Sequence, residues 1–195
     1  MSARDWSAEG TRLFLDAVDR IGDDGFAVPT ALPGWTRAHV VAHVHHNALA
    51  LGRLASWAAT GTEQRMYASP EQRDAEIAES AQLPPAELRA RVHASAEQLA
   101  AALDGLSPDA WQAQVLTAQG RTVPATEIPW MRAREVCVHA VDLDGGVAFA
   151  DLPPAFTAAL VAEVAARRAA GGEGPALAAW LTGRSAEAPV LGRWL

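Results

Sequence analysis

Residues 36–60 of the chain read TRAHVVAHVHHNALALGRLASWAAT. Thr36 is a residue type that commonly caps the start of a helix, and Gly61, directly after the segment, is one that commonly ends a helix. Between them, apolar residues recur at intervals of three and four, the spacing of one helical face. These residues are Val40, Val41, Val44, Ala48, Leu51, Leu54 and Ala55. The pattern predicts an amphipathic helix over residues 37–60.

The rest of the chain contains further helical segments. Alanine, a strong helix former, is abundant, whereas the strand-favouring residues phenylalanine, tyrosine and isoleucine are scarce. The predicted helices cover residues 5–21, a short stretch that begins at Pro70, and residues 85–104, 108–111, about 127–143 and 153–170. Ser69 is expected to cap the short helix, with Gln72 closing a capping box, and Thr126 is expected to cap the helix over about 127–143. Residues 115–125 predict a loop or a short hairpin around Gln119-Gly120.

Four of these helices are long, and a helical bundle is the arrangement that buries such apolar faces against one another. We therefore expect a mainly α fold. A bundle of this kind can also build a metal site from inward-facing side chains on different helices. Seven tryptophans are many for 195 residues, and they either fill the core among the small alanines or line a pocket.

The composition excludes several classes of protein. The net charge of −7 argues against a general nucleic-acid-binding surface. No apolar run approaches the 18 residues or more of a membrane span, and the N-terminus lacks the pattern of a signal peptide. The single cysteine, Cys137, excludes an internal disulfide framework. We expect a cytoplasmic monomer.

Glu135 and His139 are the residues that most suggest chemistry. They are four apart on one predicted helix, so their side chains share a face, as an exposed surface pair or as two metal ligands. Catalytic zinc sites commonly use three protein ligands and leave a fourth position open. His43 on the second helix is a candidate third ligand. The spacing does not choose among the nearby histidines, which are His39, His43, His45 and His46.

Several segments together resemble the mycothiol-dependent maleylpyruvate isomerases, which belong to the DinB-like metal-binding four-helix superfamily. They are Gly34-Trp35-Thr36-Arg37, Ala42-His43-Val44 with Asn47-Ala48, Met66-Tyr67-Ala68-Ser69-Pro70-Glu71, residues 116–125, Trp130-Met131-Arg132, Arg134-Glu135 and His139-Ala140-Val141-Asp142-Leu143. The resemblance extends over about residues 10–155. Residues 116–125 and the helix from Trp130 to Leu143 are the parts that point to the isomerases in particular.

The resemblance implies a zinc site held by His43, Glu135 and His139. His45 and His46 stand where the family has residues that do not bind the metal, and His39 would at most support a ligand. The implied cofactors are zinc and mycothiol. The implied reaction is the cis-to-trans isomerisation of maleylpyruvate to fumarylpyruvate in aromatic degradation by the gentisate route.

The implied chemistry is nucleophilic catalysis by the thiol of a cofactor. Reversible addition of a thiolate makes the carbon–carbon double bond single, so that it can rotate before elimination. A free thiol is mostly protonated at neutral pH, and coordination to zinc deprotonates it. Two roles for the metal stay open at this stage, which are binding the thiolate and polarising the keto oxygen of the substrate.

A dicarboxylate substrate needs cationic partners, and the arginine guanidinium fits a carboxylate with two hydrogen bonds. By resemblance, Arg73 and Arg184 are the candidates, and the sequence does not rank a further three, Arg121, Arg132 and Arg134. Cys137 is better explained as a buried structural residue than as the nucleophile. Asp142 either orients a ligand or pairs with an arginine.

The chain departs from the family at its C-terminal end. Family members carry a second, small α/β domain, whereas only 43 residues follow residue 152 here. The helix over residues 153–170 and the final Arg193-Trp194-Leu195 match, but the middle part does not. We therefore expect a bundle over residues 1–150 and an abbreviated α/β appendage over 151–195.

Two alternatives to the isomerase stay open. One is a mycothiol-dependent S-transferase of the same superfamily, which would act on another electrophile. The other is a metal-binding regulatory module, although the chain lacks the Cys-x-x-Cys pair of the zinc anti-sigma factors. The partners expected for either enzyme are a small-molecule substrate, a dicarboxylate for the isomerase, and a low-molecular-weight thiol.

Overall fold

The computed structural model describes residues 1–192, which form eight α-helices and one short hairpin. The helices are α1 (Ala3–Arg20), α2 (Arg37–Thr60), α3 (Pro70–Ser80), α4 (Pro85–Asp104), α5 (Pro108–Gln112), α6 (Ile128–Asp142), α7 (Pro154–Arg168) and α8 (Gly174–Leu181). The strands are β1 (Gln114–Leu116) and β2 (Thr122–Pro124). The mainly α fold predicted from the sequence is confirmed.

The chain divides into two compact units, Met1–Asp151 and Leu152–Leu195. The first contains α1 to α6 and the hairpin, and the second contains α7 and α8. The sequence predicts an α/β appendage, whereas the described part of the second unit, residues 152–192, has helices and no strand. Alanine dominates both helical stretches, which explains the difference. The predicted match at Arg193-Trp194-Leu195 lies outside the described residues.

Side-chain caps begin most helices of the first unit. Ser2 forms a reciprocal capping box with Asp5, so α1 begins two residues earlier than the apolar spacing predicts. Ser69 accepts a hydrogen bond from the Gln72 backbone, but the Gln72 side chain donates to Glu76 and closes no box. The sequence predicts that Thr126 caps α6, and this prediction is wrong. It lies within a short 3₁₀ turn, Ala125–Glu127, that leads directly into the helix.

The hairpin expected within residues 115–125 is present. β1 and β2 pair antiparallel with Val115 opposite Val123, and both valines are buried. Gly120 lies in the turn at a φ of 75°, a left-handed conformation that glycine adopts without strain. The hairpin packs beside α2 and adds to the apolar core at the end of that helix.

The bundle core forms where α1 packs against α6 and α2 packs against α4. Trp57 and Trp111 are partly buried against this core, as expected of bulky side chains among alanines. Gly10 on α1 faces α6. A Cβ atom built on Gly10 would lie 2.8 Å from Cγ2 of Val136 and closer still to Sγ of Cys137. The missing side chain therefore lets the two helices approach closely.

No helix within the described residues is both long enough and apolar enough to cross a membrane.

The close approach at Gly10 predicts a destabilising effect of Gly10→Ala. The new methyl group would overlap Val136 and Cys137, and overpacking of this kind costs about 1–3 kcal/mol. Gly52 on α2 is a matched control, because a Cβ there meets nothing within 4 Å. Gly52→Ala is expected to stabilise the protein by up to about 1 kcal/mol through helix propensity. Thermal and urea unfolding of both variants measure the difference, and equal shifts would contradict the packing argument.

Candidate metal centre

Two helices of the bundle bring three predicted site residues together. His43 lies on α2, whereas Glu135 and His139 lie one turn apart on α6. Their ligand atoms all lie within 4.8 Å of one another. Among the described residues, no other group of three histidine, cysteine or acidic side chains converges in this way.

The Glu135 carboxylate is the centre of the group. Its Oε2 lies 2.7 Å from His43 Nε2 and 3.5 Å from His139 Nε2. The two imidazole rings meet edge to face, with centroids 4.8 Å apart. Zinc binds imidazole nitrogen and carboxylate oxygen at about 2.0–2.2 Å, so one ion could be shared by atoms at these separations. The group is also largely buried, since the three side chains are 7%, 20% and 16% exposed.

Asp142 orients His139. Its Oδ2 lies 2.8 Å from His139 Nδ1. A carboxylate only accepts hydrogen bonds, so Nδ1 carries a proton and donates it to Asp142, while Nε2 faces Glu135. Of the two roles that the sequence leaves open for Asp142, the structure shows the orienting one.

Burial and hydrogen bonding act on the protonation of the three residues in opposite directions. Burial alone would raise the pKa of Glu135, but hydrogen bonds from His139 and His43 hold it well below the ordinary value. Burial lowers the pKa of His43, against the opposing effect of Glu135. Burial also opposes the charged form of His139, yet hydrogen bonds to Asp142 and Glu135 raise its pKa to about 9. The group therefore holds an ionised carboxylate away from bulk water.

Arg73 on α3 reaches the same centre. Its Nη2 lies 3.2 Å from His43 Nδ1, and its Nη1 forms an ion pair with Asp74 at 2.8 Å. The guanidinium lies over the ring of Tyr67, 5.9 Å from the centroid, and the side chain remains 32% exposed. The predicted carboxylate-binding arginine is thus beside the predicted metal ligands.

Two aromatic residues also lie at the centre, and the amino-acid pattern alone gives no role to either. Tyr67, the one tyrosine of the chain, lies next to Arg73, and burial raises the pKa of its phenol. The ring of Trp35 lies 5.4 Å from that of His43, which places one tryptophan against the site rather than in the core. Both residues occur inside the segments that carry the family resemblance, and that is the signal by which they could have been found.

The other predicted histidines have local roles. His39 accepts a hydrogen bond from the Thr36 backbone at 3.2 Å and so occupies the third position of a capping box. Burial lowers the pKa of His45 to about 4, so this ring is neutral in the core. His46 is hydrogen-bonded to Ser80 on α3 at 2.8 Å between Nε2 and Oγ.

The remaining candidates make other contacts. Arg184 is exposed in the second unit and donates a hydrogen bond to the Thr182 backbone. Arg121 is exposed beside the hairpin turn. The guanidinium of Arg134 lies over the ring of Trp130, 5.9 Å from the centroid. Cys137 is buried, and burial raises its pKa to about 12, which makes it a poor nucleophile.

Comparison with protein families gives a match that covers most of the chain. The model of the mycothiol maleylpyruvate isomerase N-terminal domain matches residues 7–144. The chain belongs to this family. The match includes His43, Glu135, His139 and Arg73. None of the curated proteins gives a match.

Two solved structures are similar to most of this chain. The crystal structure of the mycothiol-dependent maleylpyruvate isomerase is 44% identical in sequence and superposes with a TM-score of 0.82. A histidine-to-alanine mutant of that enzyme is 43% identical, with a TM-score of 0.81. Each match covers 84% of this chain and 68% of the other.

The contact between Asp142 and His139 predicts that Asp142→Asn weakens metal binding. The amide no longer holds His139 in one tautomer, and loss of such a partner typically costs about 10–100-fold in metal affinity. Asp144→Asn is the matched control. Its carboxylate is 95% exposed, and asparagine tolerates the left-handed backbone at this position. Competition between the protein and a zinc chelator measures both affinities, and equal values would exclude the orienting role.

Proposed function

We propose that the chain is a mycothiol-dependent maleylpyruvate isomerase that converts maleylpyruvate to fumarylpyruvate. The observation that supports this most strongly is the convergence of His43, Glu135 and His139 in a chain that matches a crystallised enzyme of that name at 44% sequence identity, over 84% of the chain. The proposal includes a resident zinc ion and mycothiol as the cofactors.

His43, Glu135 and His139 would hold the zinc. Two nitrogens and one carboxylate oxygen are donors that zinc accepts, and three protein ligands leave a further position open. When bound, zinc supplies a Lewis acid that keeps a coordinated thiol deprotonated at neutral pH. The low pKa of Glu135 supports the assignment, because this carboxylate presents a negative charge to a cation without first losing a proton.

The chain's own residues would bind and orient the substrate beside that centre. Arg73 already donates toward His43, so it stands at the edge of the centre with a third of its side chain exposed. A guanidinium there can pair with one carboxylate of a dicarboxylate. Trp35 and Tyr67 beside this position are partly buried, which limits water around the pairing and strengthens it.

Turnover of maleylpyruvate by zinc-loaded protein tests the proposal directly. The reaction is followed with mycothiol present and with mycothiol omitted, and turnover is expected only in its presence. Zinc-loaded protein that turns over no maleylpyruvate but transfers mycothiol to another electrophile would replace the isomerase with the S-transferase.

Glu135→Gln is expected to lower zinc affinity and turnover together. The amide is neutral and binds zinc poorly, and it leaves His43 and His139 without their shared carboxylate. Glu127→Gln, at the N-terminal boundary of α6, is the control for the same chemical change. Chelator competition and steady-state kinetics are measured on both variants. Full zinc binding with full turnover in Glu135→Gln would overturn the ligand assignment.

Arg73→Met is expected to raise the KM for maleylpyruvate by about 10–100-fold, because a hydrogen bond to a charged group contributes about 1.5–3 kcal/mol. Zinc content should not change, since Arg73 is not among the proposed ligands. Arg65→Met is the control, because Arg65 is exposed and pairs only with Glu63 in the contacts described for it. Kinetic constants of Arg73→Met that equal those of Arg65→Met would remove Arg73 from the substrate site.

A further inference from the structure

Arg132 is a charged residue inside the bundle. It lies on α6 and is 2% exposed, which makes it the largest fully buried side chain described. Burying a guanidinium is costly unless its donors are satisfied, so its partners are informative. The amino-acid sequence alone does not distinguish Arg132 from Arg121 and Arg134, which have quite different surroundings.

The Arg132 guanidinium crosses from α6 to α2. Its Nη1 donates to the backbone oxygen of Val44 and to Oδ1 of Asn47, each at 2.9 Å. Val44 directly follows His43, and Asn47 lies one helical turn beyond it. Both acceptors therefore belong to the part of α2 that carries its metal-site histidine.

On its own helix, α6, Arg132 is likewise close to the residues of the metal centre. It precedes Glu135 by three residues and His139 by seven, so all three side chains share one face of α6. Apolar contacts between the two helices are non-directional and tolerate small shifts along the axis. Two hydrogen bonds from one nitrogen do not tolerate such shifts, because hydrogen-bond strength falls steeply as the distance and angle depart from their best values.

We propose that Arg132 is a positioning residue that sets the register of α2 against α6 and so holds His43 at the correct distance from Glu135 and His139. Its metal-binding consequence rests on the function proposed above. Arg132 itself touches neither substrate nor metal in this proposal. It acts through Val44 and Asn47.

The charge of Arg132 persists inside the protein. Burial lowers its pKa to about 10, which still leaves the guanidinium protonated at neutral pH. Its hydrogen bonds to Val44 and Asn47 are therefore charge-assisted, and such bonds are stronger than those between neutral groups. The charge of Glu135 acts in the opposite direction to burial and favours the protonated form.

Arg132→Met tests the proposal, because methionine keeps an unbranched apolar stem and removes both hydrogen bonds. We expect zinc affinity to fall by about 10–100-fold, the usual effect of losing a residue that supports a ligand. The visible spectrum of the Co²⁺-loaded variant should also change, since it reports ligand geometry. Leu103→Ala is the control for general destabilisation, because Leu103 packs in a core cluster that contains none of the three ligands.

A metal-free measurement separates this proposal from the proposed function. The rings of His43 and His139 are 4.8 Å apart, so a nuclear Overhauser contact between them is expected in the wild type and in Leu103→Ala. We expect it to be lost in Arg132→Met. If the wild type does not bind Zn²⁺, the proposed metal site is wrong. The contact between the two rings would still show whether Arg132 sets the register of α2 against α6.

Two results would overturn the proposal. One is an Arg132→Met variant that keeps the ring contact and the zinc affinity of the wild type. The other is a Leu103→Ala variant that loses the ring contact and as much zinc affinity as Arg132→Met does. If Arg132→Met does not fold, Asn47→Ala removes one of the two acceptors and takes its place. Unchanged zinc affinity and an unchanged ring contact in Asn47→Ala would overturn the proposal equally.

Discussion

The largely buried carboxylate of Glu135, shared between two imidazole rings, is the interaction on which the rest of the structure depends. An ionised carboxylate away from water is costly unless hydrogen bonds and opposite charge compensate it. His43 and His139 supply that compensation, and they lie on different helices. The need to keep the charge paired therefore couples α2 to α6, and the same negative charge makes the centre suited to a divalent metal.

The packing of the bundle serves this coupling. α6 is held against α1 by a close approach at Gly10 and against α2 by a buried arginine. Ligands that lie on packed helices are positioned more accurately than ligands on loops, because neighbouring side chains restrict their rotamers. Asp142 restricts His139 further through a single hydrogen bond. These contacts define the side of the centre that is formed by the packed helices α2 and α6.

The other side of the centre is built from less regular parts of the chain. Trp35 lies in the segment before α2, Tyr67 lies in the segment before α3, and Arg73 lies in the first turns of α3. An aromatic pair and one cation are suited to recognising a small, negatively charged molecule. The centre therefore has three potential ligands on packed helices on one side and two aromatic rings with a cation on the other.

Most of the fold could be predicted from the local sequence. The spacing of Val40 to Ala55 and the caps at Thr36 and Gly61 place α2 at the bounds that the structure shows. The predicted helix starts are wrong where a competing local interaction does not show in the spacing of apolar residues. The capping box of Ser2 begins α1 early, and a 3₁₀ turn takes the place of the cap at Thr126.

The sequence by itself determined the helical elements, the pairing of Glu135 with His139 on one helical face and, through family motifs, the choice of His43. Only the tertiary structure decided that His43 meets Glu135 across 92 residues of chain, that Asp142 orients His139, and that Arg132 is buried whereas Arg121 is exposed. The physical reason is range. Capping and helical periodicity act over a few residues, whereas burial and hydrogen bonding between helices depend on how the whole bundle packs.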